Sequence, residues 1–369
     1  MKVLLVTNKV KVYALGFKIV LDALHSLGHE IVWAADFSGF AGDLTQIPCK
    51  TVQIPIQSNP LKSSNMQALK KLKKIIREEK IDAMQCSTPI GGMLGRMAAK
   101  QTGLGNVIYA AHGFLFFKGA PLINRTVYKI QEQWMAHWTD VLITITDEDL
   151  QSAQSFKLRS GKKPYLVHGA GVETGKTVCV DRKEKRKELG IPEQAFVMVS
   201  GGFLNKNKNN HVLIEAMGKL KDPDLYYLIC GEGEEKAALE NLAQQCGVSE
   251  NVRFLGYRTD LAEIMAVSDL FAMPSFREGV PRALLEAMDL GLPCIGSDTR
   301  GIRELLSNGK GGILCDPKDA DTFAAGLEKL KADPELCAQM CRLNREVAKE
   351  YSKERVQEEM LNIYRRELR

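Results

Sequence analysis

Two glutamates, Glu278 and Glu286, stand eight positions apart in the stretch SFREGVPRALLEAMDLGLP. Pro281 suits the first turn of a helix, so we expect Glu278 and Gly279 just before that helix and Glu286 within it. The backbone amides of Gly279 and Val280 would then lie at the positive end of a helix, where a diphosphate binds well. Because a carboxylate accepts two hydrogen bonds at once, Glu286 could hold two ribose hydroxyls. Glu278 would face the group attached to the phosphate.

Two glycine-rich loops in the same half of the chain could meet the same diphosphate. The stretch GGFLNKNKNN follows a predicted strand and places Gly202 and Lys208 where amides and an ammonium group could cradle phosphates. The stretch GEG also follows a predicted strand, and its first residue, Gly231, would let a nucleotide or another segment of the chain approach the backbone. A simple strand-to-helix turn explains this second loop equally well.

A histidine in the first half of the chain ends a predicted strand. His112 lies in AAHGFLFFKGAP, at the end of the fourth strand predicted there, and a glycine follows it. A single histidine is usually structural, but this position at the carboxyl end of a strand favours a role in a site.

The elements that must position these residues alternate in type along the chain. Strand-like runs and helical patterns form one series in residues 1–170 and a second in residues 171–345, joined by a charged stretch near 170–195. Such βαβ series predict two α/β domains, each with a doubly wound parallel sheet, facing each other across a cleft. The last segment, residues 346–369, is predicted to be helical and to return to the first domain.

Charge is distributed unevenly over the 369 residues. The chain has a net charge of +5, yet residues 1–168 carry 21 Lys and Arg against 12 Asp and Glu, a net charge of +9. Much of this excess lies in QALKKLKKIIREEKID, where an apolar stripe alternates with lysines and one arginine. A solvated surface helix is the favoured interpretation, and a patch that binds phospholipid is the alternative.

Several classes of protein are disfavoured by the sequence. The first strand has charges within its apolar run, unlike a signal peptide, and no stretch has the roughly 20 apolar residues of a membrane span, so we expect a cytoplasmic protein. The nine cysteines lack metal-type spacing, so we expect free thiols and no zinc. No G-x-G-x-x-G follows the first strand, which argues against a dinucleotide-dependent dehydrogenase.

Taken together, these motifs resemble a known family. The stretch SFREGVPRALLEAMDLGLPCIGSD is similar to the Glu-x7-Glu signature of retaining, nucleotide-sugar-dependent glycosyltransferases of family 4, which have the GT-B fold. Further stretches resemble that family in order and spacing, among them ICGEGEE, VRFLGYRTDLAEIMAVSDLFAMPS and GIRELLSNGKGGILCDPKDAD. In the first half, CSTPIGGMLGRMAA and VIYAAHGFLFFKGAP resemble the subgroup that builds bacterial capsular polysaccharides and exopolysaccharides.

The resemblance implies roles for individual residues. Glu286 would hold the ribose, Lys208 the diphosphate and Glu278 a hydroxyl of the donor sugar, with His112 contacting that sugar from the other domain. The residues implied to bind the donor are Gly202, Asn205, Lys208, Gly231, Gly256, Tyr257, Gly279, Val280, Pro281 and Glu286. The residues implied to bind the acceptor are Gly16, Ser87 and Thr88. Glu278 and His112 are assigned beside the reacting atoms.

The same resemblance implies the reaction and its partners. The expected donor is a UDP-sugar, the expected acceptor is a glycan or a glycan on polyprenyl diphosphate, and neither nucleic acid nor a metal cofactor is expected. Assembly on a lipid carrier would bring the basic half of the protein to the inner face of an anionic membrane.

Two departures from the family pattern leave alternatives open. Phe203 stands where many relatives have an arginine that contacts the diphosphate, and Ser87 stands where the polysaccharide subgroup commonly has histidine. These changes motivate an alternative, a catalytically weak or inert binding subunit of a polysaccharide assembly complex. The presence of Glu278, Glu286, Lys208 and His112 together argues against it. A sugar-nucleotide 2-epimerase shares the two-domain architecture and ranks below transfer.

Overall fold

The computed structural model describes residues 1–368, except for the side chain of Asn308. The chain forms two compact units. The first unit contains Met1–Gly171 and the chain from Lys353 onward, and the second unit contains Val172–Ser352. Each unit has its own parallel sheet and its own hydrophobic cores.

The first part of the chain alternates strands with helices. In chain order its elements are β1 (Lys2–Lys9), α1 (Leu15–Ser26), β2 (Glu30–Asp36), β3 (Lys50–Gln53), α2 (Ser64–Glu78), β4 (Ala83–Ser87), α3 (Pro89–Thr102), β5 (Val107–Ala110), α4 (Lys129–Ala136), β6 (Val141–Thr144), α5 (Asp147–Ala153) and β7 (Tyr165–Leu166). A short π-helical turn, Asn124–Tyr128, leads directly into α4.

The seven strands form one parallel sheet in the order β3-β2-β1-β4-β5-β6-β7. Alternate residues of β1 enter different cores, since Leu4 and Val6 pack with α2 and α3 while Val3 and Leu5 pack with α1. A strand buried on both faces must be apolar throughout, which explains the continuous run VLLV at the start of the chain. The order of strands reverses between β1 and β4, where the sheet has its switch point.

The second unit repeats the pattern. Its elements are α6 (Arg182–Glu188), β8 (Phe196–Gly201), α7 (Asn210–Leu220), β9 (Leu225–Cys230), α8 (Lys236–Gln245), β10 (Val252–Gly256), α9 (Leu261–Ala266), β11 (Leu270–Met273), α10 (Arg282–Asp289), β12 (Cys294–Ser297), α11 (Arg300–Leu305), β13 (Gly312–Cys315), α12 (Ala320–Ala332) and α13 (Pro334–Glu350). The parallel order β10-β9-β8-β11-β12-β13 reverses between β8 and β11.

The last helix, α14 (Lys353–Glu367), belongs to the first unit. Its apolar side chains join the core that α1 covers, and the buried Tyr364 hydroxyl donates a 2.6 Å hydrogen bond to Oε1 of Gln85. Its carboxylates also reach the end of the sheet, because Glu359 Oε1 lies 2.7 Å from Nδ1 of His168. These contacts attach α14 to the strands rather than leaving it as a tail.

Several elements did not emerge from the sequence patterns, and three of them show why. The strands β3 and β7 have four and two residues, too few for a clear alternation. Helix α6 lies within the charged stretch expected to join the domains, and its burial depends on ion pairs instead of apolar residues. Arg186 is 2% exposed and its Nη2 lies 2.7 Å from Oδ2 of Asp269, while Lys185 Nζ lies 2.7 Å from Oδ2 of Asp260.

Candidate functional site

The candidate site of the second unit lies where the sheet order reverses. The loops that follow β8 and β11 leave adjacent strands at their carboxyl ends, the position at which open parallel sheets bind ligands. A small crevice opens between these loops. Its lining residues are Ser200, Gly201, Gly202, Lys208, Asn210, Ala272, Met273, Pro274 and Ser275. Among them, Gly202 and Lys208 are residues for which the sequence predicted donor binding.

The loop after β8 is fixed by its asparagines. Asn205 Oδ1 accepts a 3.1 Å hydrogen bond from the Lys208 amide, which closes a short 3₁₀ turn. Asn207 donates from Nδ2 to the Arg277 carbonyl at 3.0 Å, and Asn209 donates to the Pro274 carbonyl at 3.0 Å. The loop after β8 is therefore tied to the loop after β11. Asn205 shapes this loop, in addition to its predicted place at the donor.

A short ion pair connects these two loops at the crevice. Lys208 Nζ lies 2.8 Å from Oε1 of Glu278, and the two side chains are 22% and 15% exposed. The sequence patterns predicted that both residues serve one ligand, but they did not reveal this direct contact. Because one positive and one negative group share the position, the lysine can attract an anion while the carboxylate accepts hydroxyl hydrogen bonds.

The second glutamate lies on α10, as the spacing predicted. Pro281 precedes this helix as its N-cap residue, one position before the predicted start. Leu284, Leu285, Ala287 and Met288 are buried, which fixes the rotation of the helix. Glu286 is 33% exposed, and its Oε1 accepts a 2.7 Å hydrogen bond from Nε of Arg282 one turn earlier. The rest of the carboxylate is accessible to a ligand.

A glycine of α11 fixes the position of the segment before α10. A Cβ placed on Gly301 would lie 1.3 Å from the carbonyl oxygen of Gly279, so only glycine allows this approach. The neighbouring Arg300 is 4% exposed, and its Nη2 donates to the Glu278 carbonyl at 3.4 Å. The sequence contained one signal for this contact, the stretch GIRELLSNGKGG, but its spacing did not reveal the partner.

Gly231 has a structural reason to be glycine. A Cβ at this position would lie 1.8 Å from the carbonyl oxygen of Gly202, so the segment that approaches Gly231 belongs to the loop after β8. Gly231 also pairs with Gly256 in an isolated antiparallel bridge. Beside this bridge, the ring of Tyr257 is 76% exposed. Gly231 thus contacts another segment of the protein, and its contact with the donor remains a prediction.

The acceptor residues predicted in the first unit lie near its own switch point. The side chain of Asn8, at the end of β1, accepts hydrogen bonds from the Thr88 hydroxyl at 2.8 Å and the Gly91 amide at 2.7 Å. Thr88 has φ of 68°, which β-branched residues rarely adopt. Ser87 is 7% exposed, so its side chain faces the protein. Asn8 was not among the predicted residues, although it directly follows the apolar run KVLLVT in the sequence.

Two further residues of the first unit differ in their surroundings. A Cβ on Gly16 would lie 3.0 Å from Cβ of Ala170, so this glycine allows α1 to approach the end of the unit. His112 follows β5 and its side chain is exposed. It therefore follows the fifth strand rather than the fourth, because β3 was not predicted. The next turn is held by Phe114 and Phe116, whose rings stack 4.7 Å apart.

The described part of the chain has neither a cluster of metal-ligating side chains nor a helix suited to a membrane span. Within residues 1–368, no three His, Cys, Asp or Glu side chains come together as a metal ion would require. Over the same range, none of the helices combines the length and hydropathy that crossing a bilayer demands. That the reaction proceeds without a metal ion remains a prediction.

Comparisons with known proteins agree with this architecture. Residues 181–347 match the model of glycosyl transferases group 1, and residues 19–168 match that of glycosyltransferase family 4. The putative glycosyltransferase EpsD of Bacillus subtilis (strain 168) is 37% identical over 84% of this chain and 83% of its own length. The UDP-Gal:alpha-D-GlcNAc-diphosphoundecaprenol alpha-1,3-galactosyltransferase of Escherichia coli is 31% identical over 73% of this chain and 71% of its own.

A solved structure shows the same fold. Anabaena Alr3699/HepE in complex with UDP-glucose superposes with a TM-score of 0.79 at 20% identity, over 99% of this chain and 100% of that one. The two units, each built on one parallel sheet, are the two Rossmann-like domains of the GT-B fold. The chain belongs to the glycosyltransferases of family 4.

Proposed function

We propose that this family 4 glycosyltransferase moves a sugar from a UDP-sugar to a glycan on a polyprenyl diphosphate, with retention of anomeric configuration and without a metal ion. The observation that carries the proposal is the pair of Lys208 and Glu278, 2.8 Å apart at the crevice between β8 and β11. The Escherichia coli relative supports the choice of partners, since its name specifies UDP-Gal and a diphosphoundecaprenol-linked acceptor.

The second unit supplies the parts that a nucleotide diphosphate needs. Amides of Gly279 and Val280 precede α10, at the positive end of its dipole, and Lys208 adds a full positive charge nearby. Glu286 offers its accessible carboxylate to two ribose hydroxyls. The exposed ring of Tyr257 provides an aromatic edge for the base. In this proposal Lys208 and the helix end attract the diphosphate in place of a metal ion.

The proposed reaction forms one bond and breaks one at the anomeric carbon. The acceptor hydroxyl oxygen bonds to this carbon on the face from which the diphosphate departs, and the bond between the carbon and the diphosphate oxygen breaks. The hydroxyl proton passes to an oxygen of the leaving diphosphate. Lys208 and the amides before α10 stabilise the negative charge that develops there, while Glu278 holds a hydroxyl of the sugar. We assign His112, which follows β5, to the same sugar.

The acceptor is assigned to the first unit. Gly16, Ser87 and Thr88 lie around the switch point between β1 and β4, and we add Asn8 to this group because its side chain accepts a hydrogen bond from the Thr88 hydroxyl. Since Ser87 is 7% exposed, we assign its contribution to the backbone and that of Thr88 and Asn8 to their side chains. A lipid-linked acceptor would bring this unit to the inner face of the cell membrane as a peripheral protein, attracted by the lysines of α2.

The function is tested by supplying purified protein with UDP-, GDP- and ADP-sugars, each with and without a polyprenyl-diphosphate-linked acceptor. Calorimetry should show one UDP-sugar binding, and mass spectrometry should show its sugar on the acceptor. The NMR coupling of the anomeric proton should show an α linkage from an α donor. Inversion of the linkage would refute retention. Binding of the donor without transfer to any lipid-linked acceptor would favour the inert binding subunit.

A further inference from the structure

The segment between β5 and β6 presents an apolar face to solvent. Five large apolar residues of this segment are exposed by 54–76%, and we call them the outer face: Leu122, Ile123, Val127, Ile130 and Trp134. Four of them, at positions 123, 127, 130 and 134, follow the spacing of one helical stripe through the π-helical turn and α4. The opposite side is occupied, since Met135 and Ala136 are buried. Exposed apolar residues grouped in this way mark interaction surfaces.

The charges around the outer face have one sign. Lys118, Arg125 and Lys129 accompany it, whereas Glu132 is the one carboxylate in residues 118–138. The Glu132 side chain is 12% exposed and turns inward, where its oxygens lie 2.8 and 3.1 Å from the guanidinium of the buried Arg96. Outside this stretch, Glu148 of α5 accepts a 2.7 Å hydrogen bond from the Lys118 amide.

The end of the segment has the composition of a membrane interface. The rings of Trp134 and Trp138 meet edge to face with centroids 4.5 Å apart, and Trp134 is 60% exposed. Tryptophan is favoured at the level of lipid headgroups, where its ring is buried and its N–H finds a polar partner. A short amphipathic helix with basic flanks and an exposed tryptophan binds in the plane of a membrane surface.

We propose that the outer face inserts into the headgroup layer of an anionic membrane and is the main membrane-binding surface of the first unit. The proposal rests on the peripheral attachment proposed above, and it assigns that attachment mainly to the outer face instead of the lysines of α2. Helix α2 offers charge alone, because its apolar stripe, including Leu72 and Ile76, is buried in the core. Lysines of α2 would add attraction at a distance, whereas the outer face adds apolar burial in the lipid.

Flotation of the full chain with phosphatidylglycerol vesicles tests the proposal. The triple variant Ile123→Glu, Ile130→Glu, Trp134→Glu should lower the ratio of bound to free protein at least about tenfold, because three apolar side chains that would enter the lipid become charged. A matched control places the same three charges on exposed apolar residues elsewhere in the first unit, as Val12→Glu, Leu61→Glu, Met66→Glu, and should lose much less binding than the outer-face variant. A third variant, with Lys70, Lys71, Lys73 and Lys74 changed to Gln, should lose less binding than the outer-face variant.

Several outcomes would overturn the proposal. Binding of the outer-face variant equal to that of the parent would do so, as would an equal loss in the control variant. Light scattering in the absence of vesicles provides another test: a parent dimer that becomes a monomer only in the outer-face variant would identify this surface as a contact between two copies of the chain.

The failure of this inference can be separated from failure of the proposed function. Transfer to a water-soluble acceptor with a short prenyl chain needs no membrane, so the outer-face variant should retain full activity there and lose activity only with vesicle-borne acceptor. Activity on the soluble acceptor without flotation of the parent would refute the membrane surface and leave the transferase intact. Flotation without transfer would refute the function and leave the surface.

Discussion

Replacing Glu286 with alanine separates ligand binding from folding, because the structural role of this residue is small. Its contact within the protein is the 2.7 Å pair with Arg282 on the same helix, and the two side chains are 33% and 54% exposed. Exposed pairs one turn apart contribute only about 0.3–0.5 kcal/mol. We therefore expect the free energy of unfolding to fall by no more than about 0.5 kcal/mol in Glu286→Ala.

The loss of nucleotide binding should be larger than this. A carboxylate that accepts two ribose hydroxyls forms charge-assisted hydrogen bonds, and losing this interaction costs about 1.5–3 kcal/mol. The dissociation constant for UDP should then rise about 10- to 150-fold. The rate of transfer at saturating donor should change less, since the ribose does not react and binds alike in the ground and transition states.

Calorimetric titration of UDP and urea unfolding of the same samples provide the two measurements. Glu240→Ala is the matched control, because Glu240 also pairs one turn away, with Lys236 at 3.4 Å, on an exposed face of α8. Both variants should unfold near the parent midpoint, and only Glu286→Ala should bind UDP weakly. Unchanged binding of UDP by Glu286→Ala would refute the assignment to the ribose, as would an equal loss in the control.

Three further predictions concern the same site. Glu278→Gln should slow transfer at least about tenfold while UDP binding stays within about threefold, because the carboxylate acts on the sugar and its removal leaves Lys208 free for the diphosphate. Steady-state kinetics and calorimetry measure the two effects, and a loss confined to UDP binding would contradict the assignment. Gly301→Ala should displace the Gly279 carbonyl by about 2 Å and reduce kcat about 100-fold. The control is Gly105→Ala, because a Cβ at Gly105 meets nothing within 4 Å. Kinetics of Gly301→Ala equal to those of the parent would show that the segment before α10 need not be fixed. Transfer should persist in excess EDTA, and its abolition with rescue by Mg²⁺ or Mn²⁺ would show that Lys208 and the helix end do not replace a metal.

Much of the fold could be predicted because parallel sheets leave a strong pattern. Strands buried on both faces read as apolar runs, as in VLLV of β1 and LFAM of β11, and their order with intervening helices indicates two doubly wound domains. The same logic placed Lys208 and Glu278 at one edge of one sheet. Their 2.8 Å contact could not be predicted, since it depends on how Asn207 and Asn209 tie the two loops together.

Short or polar elements escaped prediction for a physical reason. Helix α6 has the sequence RKEKRKE and no apolar stripe, so periodicity indicates a solvated linker. The Asp181 carboxylate caps its first turn, and Arg186 is buried by bonding to Asp269 and to three backbone carbonyls. Two of these partners, Val267 and Asp269, lie more than 80 residues further along the chain. A local sequence pattern therefore cannot reveal that Arg186 is buried.

Glycines show most clearly where sequence reasoning about the site ends. A glycine after a strand predicts a close approach, but the approaching group can be a ligand or the protein itself. Gly231 meets the Gly202 carbonyl and Gly301 meets that of Gly279, so each allows a close approach to one of the two loops assigned to the diphosphate. The segments that would bind the diphosphate are thus positioned by backbone contacts from β9 and α11. Because a Cβ at either position would enter space already filled by a carbonyl, the site depends on residues that need not touch its ligand.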